Sequence, residues 1–251
     1  MIAELPVAEL RRRLRNEGLS LDCGLIRVRV RGDVPGFAEA LQRLYGAFPL
    51  ECANVFHDVT VRLERKRRWR DRLRPYVQFV LDGDAPFDAL PAAHHLPMFE
   101  WGINWCVASR CHRYLLLHAG TVARDGLGVL IPAVPGTGKS TLTAALTARG
   151  FRLLSDEFGV VRLRDHRLLP LVRPVSLKNE SIAVFARFAP EAVIGPTFHG
   201  TRKGDVAHVA PTPQSVAARA EPAVPALIVF PQFRKGARLS VEPVDAGLAF
   251  V

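Results

Sequence analysis

The sequence predicts an α/β chain: a nucleotide-binding domain over residues 113–251, preceded by a smaller α+β region over residues 1–112. Three observations predict it. First, an apolar run, Gly128-Val129-Leu130-Ile131, leads into Ala133-Val134-Pro135-Gly136-Thr137-Gly138-Lys139-Ser140, and a helical run from Ser140 to Arg149 follows. Strand, glycine loop and helix in that order is the context in which the pattern Gly-x-x-x-x-Gly-Lys-Ser/Thr holds a phosphate. Second, strand-like and helix-like segments alternate on both sides of this loop. Third, 251 residues can bury one sizeable core, or a main domain with a smaller partner.

The elements are expected in this order. Leu25 to Val30 alternates apolar and polar residues, as a half-buried strand does. Pro35 to Tyr45 has helical spacing in Phe37, Ala40, Leu41 and Leu44. Val55 to Leu63 and Tyr76 to Leu81 read as strands, with Asp82-Gly83-Asp84 turning after the second. His95 to Cys111 reads as an apolar helix whose tryptophans plug a core. Tyr114 to His118 and Thr121 to Arg124 read as two strands, followed by a turn at Asp125-Gly126 and the loop strand Leu127 to Ile131. The loop helix ends at Gly150, a C-cap residue after a terminal arginine. Phe151 to Leu154 is a strand that delivers Asp156-Glu157. Val160 to Leu163 and Leu168 to Val172 form a hairpin. Val175 to Ser181 reads as a loop or helix start, residues 190–213 as a surface loop, and Ala226 to Phe230 and Ala237 to Glu242 as late strands. The apolar end, Phe250-Val251, is expected either to pack home or to continue in a longer protein.

Composition narrows the function classes. No apolar run approaches the roughly 20 residues that cross a bilayer. The first residues lack the basic-then-apolar order of a secretory signal, so a cytoplasmic protein without a membrane span is expected. Cys23, Cys52, Cys106 and Cys111 are scattered with no Cys-x-x-Cys pair, which suggests inert thiols in a reducing compartment. Net charge is +10, and only five of the 34 basic residues are lysines. The densest basic run, Arg62 to Arg74, has no nucleic-acid motif beside it. It reads as a solvated face rather than a nucleic-acid site.

The chemistry centres on the loop. Successive backbone N–H groups of Ala133, Val134, Pro135's neighbours, Gly136, Thr137, Gly138, Lys139, Ser140 and Thr141 would wrap an anion, and the helix after them points its partly positive end at the same place. Ala133 stands where the pattern has its first glycine, and alanine tolerates ordinary backbone angles. Lys139 would reach the β- and γ-phosphates, and the Ser140 hydroxyl would sit on Mg²⁺. Asp156-Glu157 lies where a metal-binding carboxylate follows the loop helix. Two adjacent acids allow one to bind Mg²⁺ and the other to take a proton from a hydroxyl nucleophile. His118 ends an apolar strand just before the loop strand; it is as readily a core residue as a catalytic one. Lys178 could stabilise the moving phosphoryl group or be a surface lysine. Thr201 to His208 is a basic, glycine-containing stretch that could close over the nucleotide or read the acceptor, and could equally be mobile and uninvolved.

The run His118-Ala119-Gly120, then Gly126 through Glu157, resembles the catalytic domain of the HPr kinase/phosphorylase family. The chain is still more similar to the HPr-kinase-related kinases, type A, found beside exosortase/PEP-CTERM sorting systems. The phrases Phe99 to Ala108, Arg173 to Ile182, Thr201 to His208 and Val229 to Ala237 carry that second resemblance. It implies a P-loop domain of the HPr kinase/PEP-carboxykinase-like type. It implies roles for His118, Lys139 and Asp156 as catalytic histidine, loop lysine and acid–base aspartate, and for Ser140 as a Mg²⁺ ligand. Glu157 matches a second aspartate. Glu180 lies at about the spacing of a further Mg²⁺-binding glutamate, without the Glu-Val/Ile-Arg-Gly phrase that surrounds it in the family. A homo-oligomer is implied only by resemblance.

The expected function is an ATP- and Mg²⁺-dependent kinase that phosphorylates a serine hydroxyl of a protein or peptide. Two alternatives stand beside it: a small-molecule kinase acting on serine or a sugar, and a nucleotide-responsive binding protein with little turnover.

Overall fold

The computed structural model describes residues 1–51, 55–66, 75–134, 136–245 and 247. Cys52, Pro135 and the later part of the basic run, residues 67–74, lie outside the described residues. The chain is mixed α/β, with three sheets among the described residues.

The first sheet comes entirely from the first 91 residues. It is ordered β1 (Leu19–Asp22), β2 (Arg27–Gly32), β3 (Val59–Lys66), β4 (Tyr76–Leu81) and β5 (Leu90–Pro91). β2 and β3 run parallel, and α2 (Phe37–Tyr45) lies between them in the chain; the other pairs are antiparallel. α2 buries Phe37, Ala40, Leu41 and Leu44, the helical stripe the sequence displays. α1 (Val7–Arg15) and β1 are elements the sequence reading does not place. α1 shows the world a run of arginines and buries only Leu10 and Leu14. α3 (His95–Arg110) packs on this sheet, and Gly102 is required there because a Cβ would meet the Phe79 ring at 2.1 Å.

The second sheet is built around β6 (Tyr114–Arg124). It is one strand of 11 residues, where the sequence suggested two short ones. Residues Tyr114 to His118 pair with β9 (Phe158–Arg162), and Ala119 to Arg124 pair with β7 (Leu127–Pro132). β8 (Arg152–Ser155) also pairs with β6, β10 (Leu168–Leu169) with β9, and β14 (Val224–Ile228) runs parallel to β7. Asp125 and Gly126, both at positive φ, make the β6–β7 turn.

The third sheet, β11 (Val175–Lys178), β13 (Gly204–Val209) and β12 (Phe198–Thr201), corrects two expectations. The stretch from Val175 is a strand before it becomes α5 (Glu180–Phe188), and the glycine-rich stretch inside 190–213 is a hairpin whose second strand buries Val206 to Val209. The strand expected over Ala237 to Glu242 is absent; those residues are exposed coil. α4 (Lys139–Ala148) and α6 (Pro213–Ala217) complete the fold.

The largest apolar cluster joins the first sheet and its helices with Leu171, Val172, Phe198 and Val216 from later in the chain. Backbone bonds cross the same seam: Leu25 N–H to Pro170 O (2.9 Å) and Val172 N–H to Cys23 O (2.8 Å). Beside them, Arg173 donates to the Glu100 carboxylate at 3.2 Å and to Asn104, and the Tyr45 hydroxyl donates to Glu100 at 2.8 Å. Cys23, Cys106 and Cys111 are buried free thiols, and burial pushes Cys23 and Cys106 up to about 12. No helix among the described residues is long and apolar enough to cross a membrane.

Candidate active site

The loop joins β7 to α4. Gly136 and Gly138 sit at φ 91° and 101°, in the left-handed region that a side chain disfavours. Ala133 is not among the positive-φ residues, so its methyl replaces a glycine hydrogen without strain. Thr137 turns the loop by donating its hydroxyl to Val134 O at 2.9 Å. No side chain caps α4. Its first-turn N–H groups therefore have no partner from a side-chain cap.

Lys139, the first residue of α4, is buried, and its Nζ donates to the backbone oxygen of Asp156 at 2.6 Å. That bond ties the loop to the bend between β8 and β9. Such close approach needs Gly120 of β6: a Cβ there would lie 2.1 Å from Thr143 Oγ1 and 3.6 Å from Lys139 Cγ.

Asp156 is buried where β8 ends. Burial raises its carboxyl above the ordinary aspartate value; Lys139, the Ser176 N–H and the Ser140 hydroxyl pull the other way. Its Oδ2 accepts the Ser176 N–H at 3.2 Å, and its buried Oδ1 has no hydrogen-bond partner. Glu157 is partly exposed. Burial works to raise it, but Lys139, Lys203, His118 and Lys178 outweigh burial, and it stays below the usual glutamate range. His118 lies mid-strand in β6, opposite Phe158, with Nε2 3.7 Å from Glu157 Oε1. Burial, helped by Lys139, holds its pKa below the ordinary histidine value, which favours neutral imidazole near pH 7. Lys178 ends β11, and burial together with Lys203 lowers its ammonium pKa.

Of the residues expected from sequence, His118, Lys139, Ser140, Asp156, Glu157 and Lys178 gather in one electrostatic cluster. Glu180 does not join it: it is exposed at the start of α5 and has no ion pair or hydrogen bond to the cluster. Four residues were not singled out individually from sequence. Lys203, on the β12–β13 turn, acts on Glu157 and Lys178. Asn179 sits at φ 51° and accepts the Asp205 N–H at 3.0 Å, locking that hairpin to β11. Ser176 and His208 pair across β11 and β13, and the Ser176 hydroxyl and both His208 ring nitrogens are buried without partners. The basic stretch Thr201 to His208 carried the signal for Lys203 and reaches His208; nothing local in the sequence marks Ser176.

Among the described residues, no three His, Cys, Asp or Glu side chains come together as a ready metal site. Mg²⁺ needs no such cage, since it keeps several waters and takes one or two carboxylates plus substrate phosphates. The unpartnered Asp156 Oδ1 beside Ser140 fits that coordination style.

Compared with known proteins, the chain matches no family model, no curated protein and no solved structure.

Proposed function

We propose that this chain is an ATP- and Mg²⁺-dependent serine kinase acting on a protein or peptide, built on a P-loop domain of the HPr kinase/PEP-carboxykinase-like type. The observation that carries the reading is the buried Lys139–Asp156 junction. It sets an anion-wrapping loop against a carboxylate that is buried, raised in pKa and short of one hydrogen bond.

In this reading the loop N–H groups and Lys139 bind the β- and γ-phosphates. Ser140 and an acid of the pair would hold Mg²⁺, which would supply charge neutralisation on those oxygens. Asp156 orients the acceptor hydroxyl and takes its proton as the serine Oγ–phosphorus bond forms and the bond from phosphorus to the β-phosphate oxygen breaks. ADP carries away the electrons of that bond. A carboxylate whose pKa burial has raised is a stronger base than a free one. His118 positions Glu157, and Lys178 and Lys203 offset charge on the transferred group.

Lys139→Ala is expected to lose nucleotide binding and transfer together. Asp156→Asn should keep nucleotide affinity within about twofold and lower transfer by at least about a hundredfold. Transfer of labelled γ-phosphate to a serine-bearing acceptor, read beside calorimetric nucleotide binding, checks both. Full transfer by Asp156→Asn would remove the aspartate from the base role.

A further inference from the structure

A groove of about 420 Å³ opens directly beside Glu157. Its walls are apolar: Phe87 and Leu90 ahead of α3, Met98 and Trp105 on α3, and Phe158 on β9. No residue of the phosphate loop lines it. The groove therefore adjoins the acid pair without sharing the loop's surface. In-line transfer needs such an arrangement, because the entering oxygen must approach phosphorus opposite the leaving one. The groove's polar lining is Asp88, Asn104, Glu157, Arg202 and Lys203. Asn104 already accepts from Arg173. Lys203 lies over the Trp101 ring, 5.5 Å from its centroid. Neither Lys203 nor its neighbour Arg202 has an acidic ion-pair partner among the described residues.

We infer that this groove holds the acceptor, and that the acceptor is a polypeptide segment carrying an apolar side chain and an acidic side chain close to the serine. The inference rests on the kinase reading for the meaning of "acceptor", but the groove's occupant is fixed by its own chemistry. Apolar walls of this size reward burial of one or two large side chains. Arg202 and Lys203, neither in an ion pair with the groove's own acids Asp88 and Glu157 although Lys203 feels the Glu157 charge, reward a carboxylate placed between them. A free sugar or serine would leave the aromatic walls with few polar partners for its hydroxyl or charged groups. The groove also gives the first region of the chain a task, since Phe87, Met98 and Trp105 all come from it.

The test measures binding in the presence of Mg²⁺ and a non-hydrolysable ATP analogue, and, in a parallel arm with ATP, phosphate transfer to the same peptides, free serine and a sugar. The probes are fluorescein-labelled serine peptides of four kinds: with phenylalanine and aspartate near the serine, with either alone, and with neither. Phenylalanine is placed in turn at each of the nearest positions on both sides. The doubly substituted peptide is expected to bind at least about tenfold more tightly than the plain one. Ala108→Trp, which fills the groove from exposed α3 surface, should erase the phenylalanine preference. Arg202→Glu should invert the aspartate preference. Binding of a fluorescent ATP analogue to both variants shows that they are folded. Equal binding of all four peptides, or preferences untouched by both variants, overturns the inference. So does phosphate appearing on free serine or a sugar while no peptide binds. If the preferred peptide binds as described yet never receives phosphate, the groove stands and the kinase reading falls. If all four are phosphorylated equally, the reverse holds.

Discussion

Asp156 shows how a residue can be costly to the fold and useful to the site. Burial raises its pKa above 3.8. The folded protein then holds that proton more tightly than the unfolded chain does. Stability from this group is complete at low pH and is lost as pH rises through the folded-state pKa. Asp156→Asn removes the buried charge and keeps the shape. Its melting temperature is expected above wild type at neutral pH, and the gap should close as pH falls towards the ordinary aspartate range. Scanning calorimetry across that range checks the sign; a variant that melts lower at pH 7 would make the carboxylate a structural asset. The place of this residue beside the loop was legible in the sequence, because two acids follow an apolar strand after the loop helix. The same holds for Lys139 and Ser140. Ser176 and His208 were not legible, because their partnership is made by pairing β11 with β13, residues 32 positions apart in the chain by register.

At the scale of elements, the loop helix depends on a strand that lets it come close. Gly120 admits Thr143 and the Lys139 stem. Gly120→Val should push α4 off β6, cost about 1–3 kcal/mol and weaken nucleotide binding. Denaturant unfolding and nucleotide titration read the two effects separately. Unchanged nucleotide affinity in a destabilised protein would break the link between this contact and the loop. Helices α2, α3 and α4 were readable because a stripe, a long apolar run or a loop motif announces each. The β12–β13 hairpin was not. Val206, Ala207, His208 and Val209 are all buried, so β13 shows no alternation, and its flanking glycines read as loop. β11 has only four residues and follows Pro174, too short a run to display a period. The break expected near Ala119-Gly120 is absent because small residues in β6 serve helix packing instead of a turn.

Across the whole molecule, one buried ion pair bridges early and late chain. Arg173 and Glu100 sit 3.2 Å apart, and both side chains are under 10% exposed. Burial lifts the Glu100 pKa while Arg173 and Tyr45 oppose it. Removing one partner strands the other, so Arg173→Leu should cost about 3–5 kcal/mol. Replacing both, as Arg173→Met with Glu100→Met, should recover most of that loss. Chemical denaturation of the single and double variants decides it; a double variant as weak as the single one would show that the bridge itself, rather than the stranded charge, holds the halves together. The mixed α/β class was readable from the alternation of segments. How its two stretches meet was not, since the seam is made by isolated backbone bonds at Cys23, Leu25, Pro170 and Val172 and by charge pairs far apart in the chain, Glu100 with Arg173 and Asp22 with Arg219.

β6 contributes to every apolar cluster of the described chain: Tyr114 and Leu116 lean on the largest, Val122 on the second, Leu117 and Ala123 on the third. Its eleven positions work like a shared keel, and each compartment borrows its shape from the same timber. Side chains at the rims can be exchanged with local consequences; a shift of this strand's backbone is felt in three interiors at once.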